Sequence, residues 1–294
     1  MGNWQRWLKA PATLWFRRAL FQVHLWLGIG LGLYVLMISV SGSAIVLRPQ
    51  MSRWFVPSEV VPGPTALKDA ALEARVAEIY ADYAVKMVVA STNEARATYV
   101  VLDKDGTESS RFFDQYRGVD LGSSFPWQVA ATEWLVDLHD DLLMDRKGRR
   151  LNGWGGVLFM GMIVTGLVLW WQGSRRWKEG LVIRRRSPRS FNWQLHSFLG
   201  LWALPLMLAW GITAMYFAWP APFDWLIDSF DADINDFDRP DGWLRFLIDL
   251  HFGRFRGLLW ANVLWIFLGL IPAVLYITGF IVWYKRVVRR LPPQ

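Results

Sequence analysis

Four stretches of this chain, residues 19–47, 151–172, 191–219 and 257–284, are almost unbroken runs of apolar side chains. A helix rising about 1.5 Å per residue needs roughly 20 residues to cross the hydrocarbon core of a bilayer, and each run is long enough. A soluble core has no place for four such segments, so the expected class is a mainly α membrane protein with four transmembrane helices. The 20 tryptophans and 53% hydrophobic content agree, because Trp and Tyr collect at both membrane–water interfaces. The first run is too long for a signal-peptide core and no small-residue cleavage site follows it, so it is expected to anchor the chain.

Charge orients the spans. Residues 1–18, 173–190 and 285–294 hold 15 Lys/Arg and one acid, Glu179. Residues 48–150 and 220–256 hold 17 Lys/Arg against 24 Asp/Glu. The positive-inside rule then puts both termini in the cytoplasm and both large loops outside. The net charge of +7 is therefore a topology signal, and it argues against a nucleic-acid partner. The chain has no cysteine, which excludes disulfides, thiolate-bound zinc, iron–sulfur clusters and CxxCH haem attachment. A metal or haem must be held by His, Met or oxygen.

The expected order is an N-terminal segment with span one (1–50), a small outer domain (51–125), and a surface helix with span two (126–175). An inner loop with span three (176–220), an acidic outer loop with a short helix (221–256) and span four with a basic tail (257–294) complete it. Within the outer domain, residues 65–83 have a helical period. "AVKMVVAS", "RATYVVLD" and "ESSRFFD" predict strands, with turns at "DKDG" (103–106) and "QYRG". One helix on a short antiparallel sheet is the expectation, an α+β domain without a catalytic constellation. The loop 223–242 carries seven aspartates. It begins like a calcium loop at "DADIN", but Asp236 stands where the invariant glycine belongs and Gly242 where the closing glutamate belongs, which excludes an EF-hand. It is either a solvated acidic face or a patch that attracts a cationic or metal-bearing substrate.

The halves of the chain repeat. "FQVHLWLG" (21–28) parallels "WQLHSFLG" (193–200), each with Gln two before the histidine and Gly four after. "VDLHDDLL…VTGLVLWW" (136–171) parallels "IDLHFGRF…ITGFIVWY" (248–284). Spans one and two thus correspond to spans three and four, a tandem two-helix repeat in parallel orientation. Such repeats are related by a pseudo-two-fold axis along the membrane normal.

All four histidines of the chain fall in this repeat. His24 and His196 lie one to two helical turns inside the cytoplasmic boundary, and His139 and His251 lie at the outer surface. The axis maps His24 onto His196 and His139 onto His251. A flat ligand on the axis would receive one imidazole on each face, as a six-coordinate haem requires, whereas a tetrahedral zinc site needs more ligands in one layer. Two b-type haems, one per layer, are the economical answer, with hydrogen-bonded packing histidines as the plain alternative. Ionisable groups inside spans are costly and usually functional. "GIGLG" (28–32) and "GGVLFMG" (155–161) would admit a porphyrin or simply a neighbouring helix. Arg17, Arg18 and Arg189 on the inner side, and Arg48, Arg146, Arg254 and Arg256 on the outer, are candidate propionate partners. They are equally topology determinants.

The whole pattern resembles the PepSY-associated transmembrane family. It combines a His-bearing first span, an outer "YVVLDKDGTESSRFFDQYRGVDLG" similar to a PepSY domain, "LHDDLLMDRKGRRLNGWGG…TGLVLWW", a basic inner loop and "FNWQLHSFLGLWALP". The family includes inner-membrane ferric-siderophore reductases. The resemblance therefore implies a di-haem b electron-transfer protein of the bacterial inner membrane, with haem iron ligated by His24, His196, His139 and His251. Its PepSY-like domain would be periplasmic. It would reduce a ferric siderophore or another periplasmic ferric chelate, using an unidentified donor, a quinol or a flavoprotein. There is no GxGxxG fingerprint after a strand, so an internal dinucleotide site is not expected. Three readings stay open beside it: a quinol-linked cytochrome b serving another periplasmic acceptor, a haem-free PepSY-type interaction or assembly protein, and a metal permease. The last is disfavoured by spans that are almost purely apolar.

Overall fold

The computed structural model describes residue 5 and residues 14–171, 181–183, 188–230, 242–253 and 259–288. Helices dominate, with one small antiparallel sheet. Among the described residues two helices, Asp145–Trp170 and Leu259–Trp283, are long and apolar enough to cross a membrane, or up to four if each of two bent pairs is one span. The chain divides into two compact units, residues 1–46 with 135–294, and residues 47–134.

The first apolar run forms α1 (Trp15–Gly30) and α2 (Gly32–Ile45), bent by 58° at Leu31. The expected straight span 19–47 is thus broken. Glycine on both sides of Leu31 weakens the helix there, a usual cause of a sharp kink. Packing holds the bend, because a Cβ on Gly32 would overlap the ring of Tyr276.

The 47–134 unit opens on α3 (Arg48–Phe55), which sequence periodicity did not reveal, and continues through α4 (Asp69–Ile79). A four-stranded meander follows: β1 (Ala84–Val89), β2 (Thr98–Lys104), β3 (Thr107–Asp114) and β4 (Val119–Ser123). Strand β2 buries Thr98, Val100 and Leu102 at its alternate positions, the period of a strand with one face on a core. With Leu72, Val76, Tyr80 and Phe113 they form the core of this unit. The β2–β3 hairpin closes on Asp105 (φ 53°) and Gly106 (φ 80°) between the paired Lys104 and Thr107. That is the two-residue turn that Asp-Gly favours. At the expected "QYRG" turn, Asp114 Oδ1 accepts from the Tyr116 and Arg117 N–H groups at 2.8 and 3.1 Å. Gly118 takes φ 67°. Strand β4 was not predicted, because five residues containing Gly122 carry too little alternation to stand out.

On β4, Asp120 accepts from the Tyr80 hydroxyl at 2.7 Å and is chelated by the Arg111 guanidinium. Burial alone would raise the Asp120 carboxyl. The hydrogen bonds from Arg111, Tyr80 and the Gly122 N–H, with the guanidinium charge, hold it below its usual value instead. Tyr80 is pushed up by burial and by the neighbouring carboxylate.

Helix α5 (Trp127–Asp141) carries His139 and ends in a tight turn. There Leu142, Leu143 and Asp145 all have left-handed φ, at 56°, 60° and 50°. Non-glycine residues rarely adopt this conformation. The basic "DRKGRR" does not separate two helices. It is the first turn of α6 (Asp145–Trp170), and the break lies a few residues earlier. A Cβ on Gly148 would overlap the Asp141 carbonyl, so glycine permits the close return of the chain. The third run forms α7 (Pro188–Trp202) and α8 (Leu204–Ala218), bent by 63°. It is followed by α9 (Pro220–Phe230), α10 (Gly242–Phe252, with His251), α11 (Leu259–Gly269) and α12 (Ile271–Trp283). Ser39 spans the junction of the last two, donating to the Gly269 carbonyl at 2.6 Å and accepting from the Ala273 N–H at 3.2 Å. Most of the acidic loop 223–242, and Arg254 and Arg256, lie outside the described residues.

Candidate functional site

Each histidine is seated by a hydroxyl on another helix. On α1, His24 Nδ1 lies 3.0 Å from Thr165 Oγ1 of α6. On α7, His196 Nδ1 lies 2.9 Å from Thr278 Oγ1 of α12. On α5, His139 Nδ1 lies 3.3 Å from Ser41 Oγ and 3.1 Å from the Ile38 carbonyl of α2. On α10, His251 Nδ1 lies 2.5 Å from Thr213 Oγ1 of α8. Helices α5 and α10 therefore lay their histidines back on the bent pairs.

The structure brings the histidines together two by two. The rings of His24 and His196 have centroids 6.4 Å apart with planes at 86°. Those of His139 and His251 are 6.2 Å apart with planes at 66°. A metal–imidazole bond is about 2.0–2.1 Å, with the ring centre about 1 Å beyond the nitrogen, so a metal between two opposed imidazoles spaces their centroids about 6 Å apart. Both pairs fit that spacing. Among the described residues no three His, Asp or Glu side chains converge. A bare tetrahedral ion would thus lack ligands at either pair, whereas a macrocycle brings four of its own.

The inner pair opens on a cavity of about 820 Å³, lined by His24, His196 and largely apolar residues of α1, α6, α7, α8 and α12. Its volume lies in the range of small-molecule and cofactor sites. Glycines shape it. Gly28 and Gly200, one helical turn beyond His24 and His196, line the cavity, and a side chain on Gly28 would meet nothing within 4 Å. Gly166 and Gly279, next to Thr165 and Thr278, let the imidazoles sit against the helix. A Cβ there would lie 3.1 Å from His24 Cε1 and 3.3 Å from His196 Cε1. Gly42 does the same beside Ser41, where a Cβ would come within 2.6 Å of His139 Cε1.

Supporting contacts hold the framework. Asn152 donates to the His139 and Asp140 carbonyls at 2.7 and 2.9 Å and accepts from Tyr34. Asn192 donates to the Thr278 carbonyl at 2.8 Å. Arg17 donates to the carbonyls of Val168, Leu169 and Trp171, closing the C-terminal end of α6. This is a usual task for a basic side chain at a helix end, and it commits the guanidinium that the sequence offered to a propionate. Arg18 is exposed and lines the cavity. Arg48 pairs with Glu133 at 2.6 Å, Arg146 is exposed, and the Arg189 side chain lies outside the described residues.

Sequence reasoning placed all four histidines and noticed Thr165-Gly166 and Thr278-Gly279 without seeing what they touch. It missed Ser41 and Thr213. A usable signal existed: each is a hydroxyl followed by a small residue, Gly42 or Ala214, at matching places in the first and third runs.

The family model described as PepSY-associated TM region matches residues 21–236 and 231–286. An uncharacterized protein of Pseudomonas aeruginosa is 33% identical over 88 residues, covering 29% of this chain and 21% of that protein. The chain therefore matches about a fifth of the length of this relative.

Proposed function

The chain belongs to the PepSY-associated TM region family, and from that premise we propose that it is a di-haem b membrane oxidoreductase. One haem would be held by His24 and His196 and the other by His139 and His251, and the product would be reduced iron from a ferric chelate outside the cytoplasm. The observation that carries this reading is the twofold recurrence of paired imidazoles with centroids 6.4 and 6.2 Å apart, each seated through Nδ1. When bound, haem iron supplies one-electron chemistry, and the protein supplies position and electrostatics.

The residues have separate tasks. The four histidines would hold the haem iron through Nε2. Gly28 and Gly200 keep the cavity wall low, and Arg18 places a cation on the lining for an acidic cofactor edge. The lining around the inner pair is largely apolar. In this reading the two bent pairs count as spans, giving four spans in two equivalent halves. The basic segments lie in the cytoplasm, and the 47–134 unit lies in the periplasm of a bacterial inner membrane. The substrate is a ferric siderophore or a similar chelate. Reduction to Fe(II) weakens the hold of hard oxygen donors and frees the metal. A quinol or a flavoprotein supplies the electrons.

The test begins with colour. Purified protein should give a reduced b-type spectrum and two haems per chain in a pyridine haemochrome assay. A colourless preparation from iron-replete cells supplied with haem precursor would overturn the reading. Vesicles with reduced quinone inside and a ferric chelate outside should then accumulate Fe(II) outside. Haem without iron reduction would move the assignment to a quinol-linked cytochrome with another acceptor.

A further inference from the structure

We propose that Ser41, Thr165, Thr213 and Thr278 are positioning residues that lock the four histidines in one tautomer, Nδ1 protonated and Nε2 bare, and thereby set how electron-rich each ligand is. The proposal deepens the haem reading and rests on it for its electronic part alone, because the tautomer stands on hydrogen-bond accounting.

Each hydroxyl has one proton, and in every case an acceptor for it lies on the hydroxyl's own helix. Thr165 lies 2.8 Å from the Gly161 carbonyl, Thr278 2.8 Å from that of Val274, Thr213 2.7 Å from that of Ala209, and Ser41 2.8 Å from that of Met37. These are the back-bonds that Ser and Thr make to the carbonyl four residues earlier in a helix. A hydroxyl that donates there can only accept from an imidazole, so Nδ1 must bring the proton. A neutral imidazole has one N–H, which leaves Nε2 with its lone pair. The chain O=C···H–O···H–N repeats at all four sites, and its members polarise one another in the same sense. A ligand imidazole that donates its second nitrogen to such a chain is a more basic donor. It favours ferric over ferrous iron and lowers the reduction potential. His139, His24 and His196 each also have a backbone acceptor that no side-chain change removes, at Ile38 (3.1 Å), Met162 and Leu275, whereas His251 relies on Thr213.

Two measurements decide the matter. With only four histidines, nitrogen-15 histidine labelling of the full chain in lipid should resolve the rings by solid-state NMR. All four are expected as Nδ1–H tautomers, and rings protonated on Nε2 would overturn the proposal even if haem is bound. Redox titration of the holoprotein should then show a raised inner potential in the Thr165→Val, Thr278→Val double variant, with Thr165→Ser, Thr278→Ser close to wild type. Thr213→Val should raise the outer potential more than Ser41→Ala does. If the Val variants lose haem, retention in the Ser variants supports the hydroxyl. Loss in both, or unchanged potentials in Val variants that keep haem, assigns the threonines to packing and defeats the proposal. A haem-free wild type with four Nδ1–H rings would defeat the haem reading while leaving the tautomer assignment intact.

Discussion

The imidazoles of His24 and His196 lie with their centroids 6.4 Å apart and their planes turned by 86°, although no sequence neighbourhood connects them. Each has its Nδ1 engaged by a threonine of a third and a fourth helix, Thr165 and Thr278. Among the described residues none of the Nε2 atoms has a hydrogen-bond partner in the protein.

Removing one imidazole should empty one layer. His24→Ala or His196→Ala is expected to take the haem content from two per chain to about one, and His139→Ala or His251→Ala to do the same for the other layer. Pyridine haemochrome assays with the reduced spectrum check this. Loss of both haems from a single inner variant that still folds would break the pairing of His24 with His196.

Ring orientation should be visible magnetically. Nearly perpendicular axial imidazoles leave the iron d-orbitals close in energy and give a strongly anisotropic low-spin ferric signal. The inner pair, at 86°, should show it more strongly than the outer pair, at 66°. Low-temperature EPR of the oxidised protein, with His139→Ala used to isolate the inner signal, makes the comparison.

Two alanine substitutions should part company. Gly28→Ala would meet no protein atom within 4 Å and should be neutral in stability and in the haem content of the outer layer. Gly42→Ala would press within 2.6 Å of His139 Cε1, an overpacking that costs about 1–3 kcal/mol. It should reduce haem in the outer layer only. Equal effects from the two would mean that Gly42 does not seat His139.

Acid should loosen the 47–134 unit before it touches the rest. The Asp120 carboxyl is held below its usual value in the folded state, so its contribution is complete above the ordinary carboxylate range and is lost as pH falls through the depressed value. Partial exposure limits the effect to at most about 1 kcal/mol. Hydrogen exchange at the amides of 111–123 should accelerate as pH falls, after correction for the intrinsic rate, and Asp120→Asn should flatten that dependence. At alkaline pH the raised Tyr80 hydroxyl predicts a second loss, above the ordinary tyrosine range.

Much of the architecture was legible because it is written locally. The apolar runs, the strand alternation of Thr98–Lys104, the Asp105-Gly106 turn and the helix Trp127–Asp141 all follow from composition and period over a few residues. Less visible were β4, shortened by Gly122, and α3, whose eight residues show too little pattern. The bends at Leu31 and between α7 and α8 escaped because apolar runs look the same straight or broken.

Local order and repeat spacing by themselves determined which residues pair: four histidines, matched two by two, each of the inner two with a glycine one turn on. Which hydroxyl would meet which ring was decided by tertiary structure alone. Ser41 and Thr213 are ordinary hydroxyls in apolar helices until the packing of α5 on α2 and of α10 on α8 gives them partners. Arg17 likewise became a cap for α6 rather than a free cation. The reason is that periodicity is set by neighbours along the chain, whereas a hydrogen bond between helices depends on where distant segments come to rest.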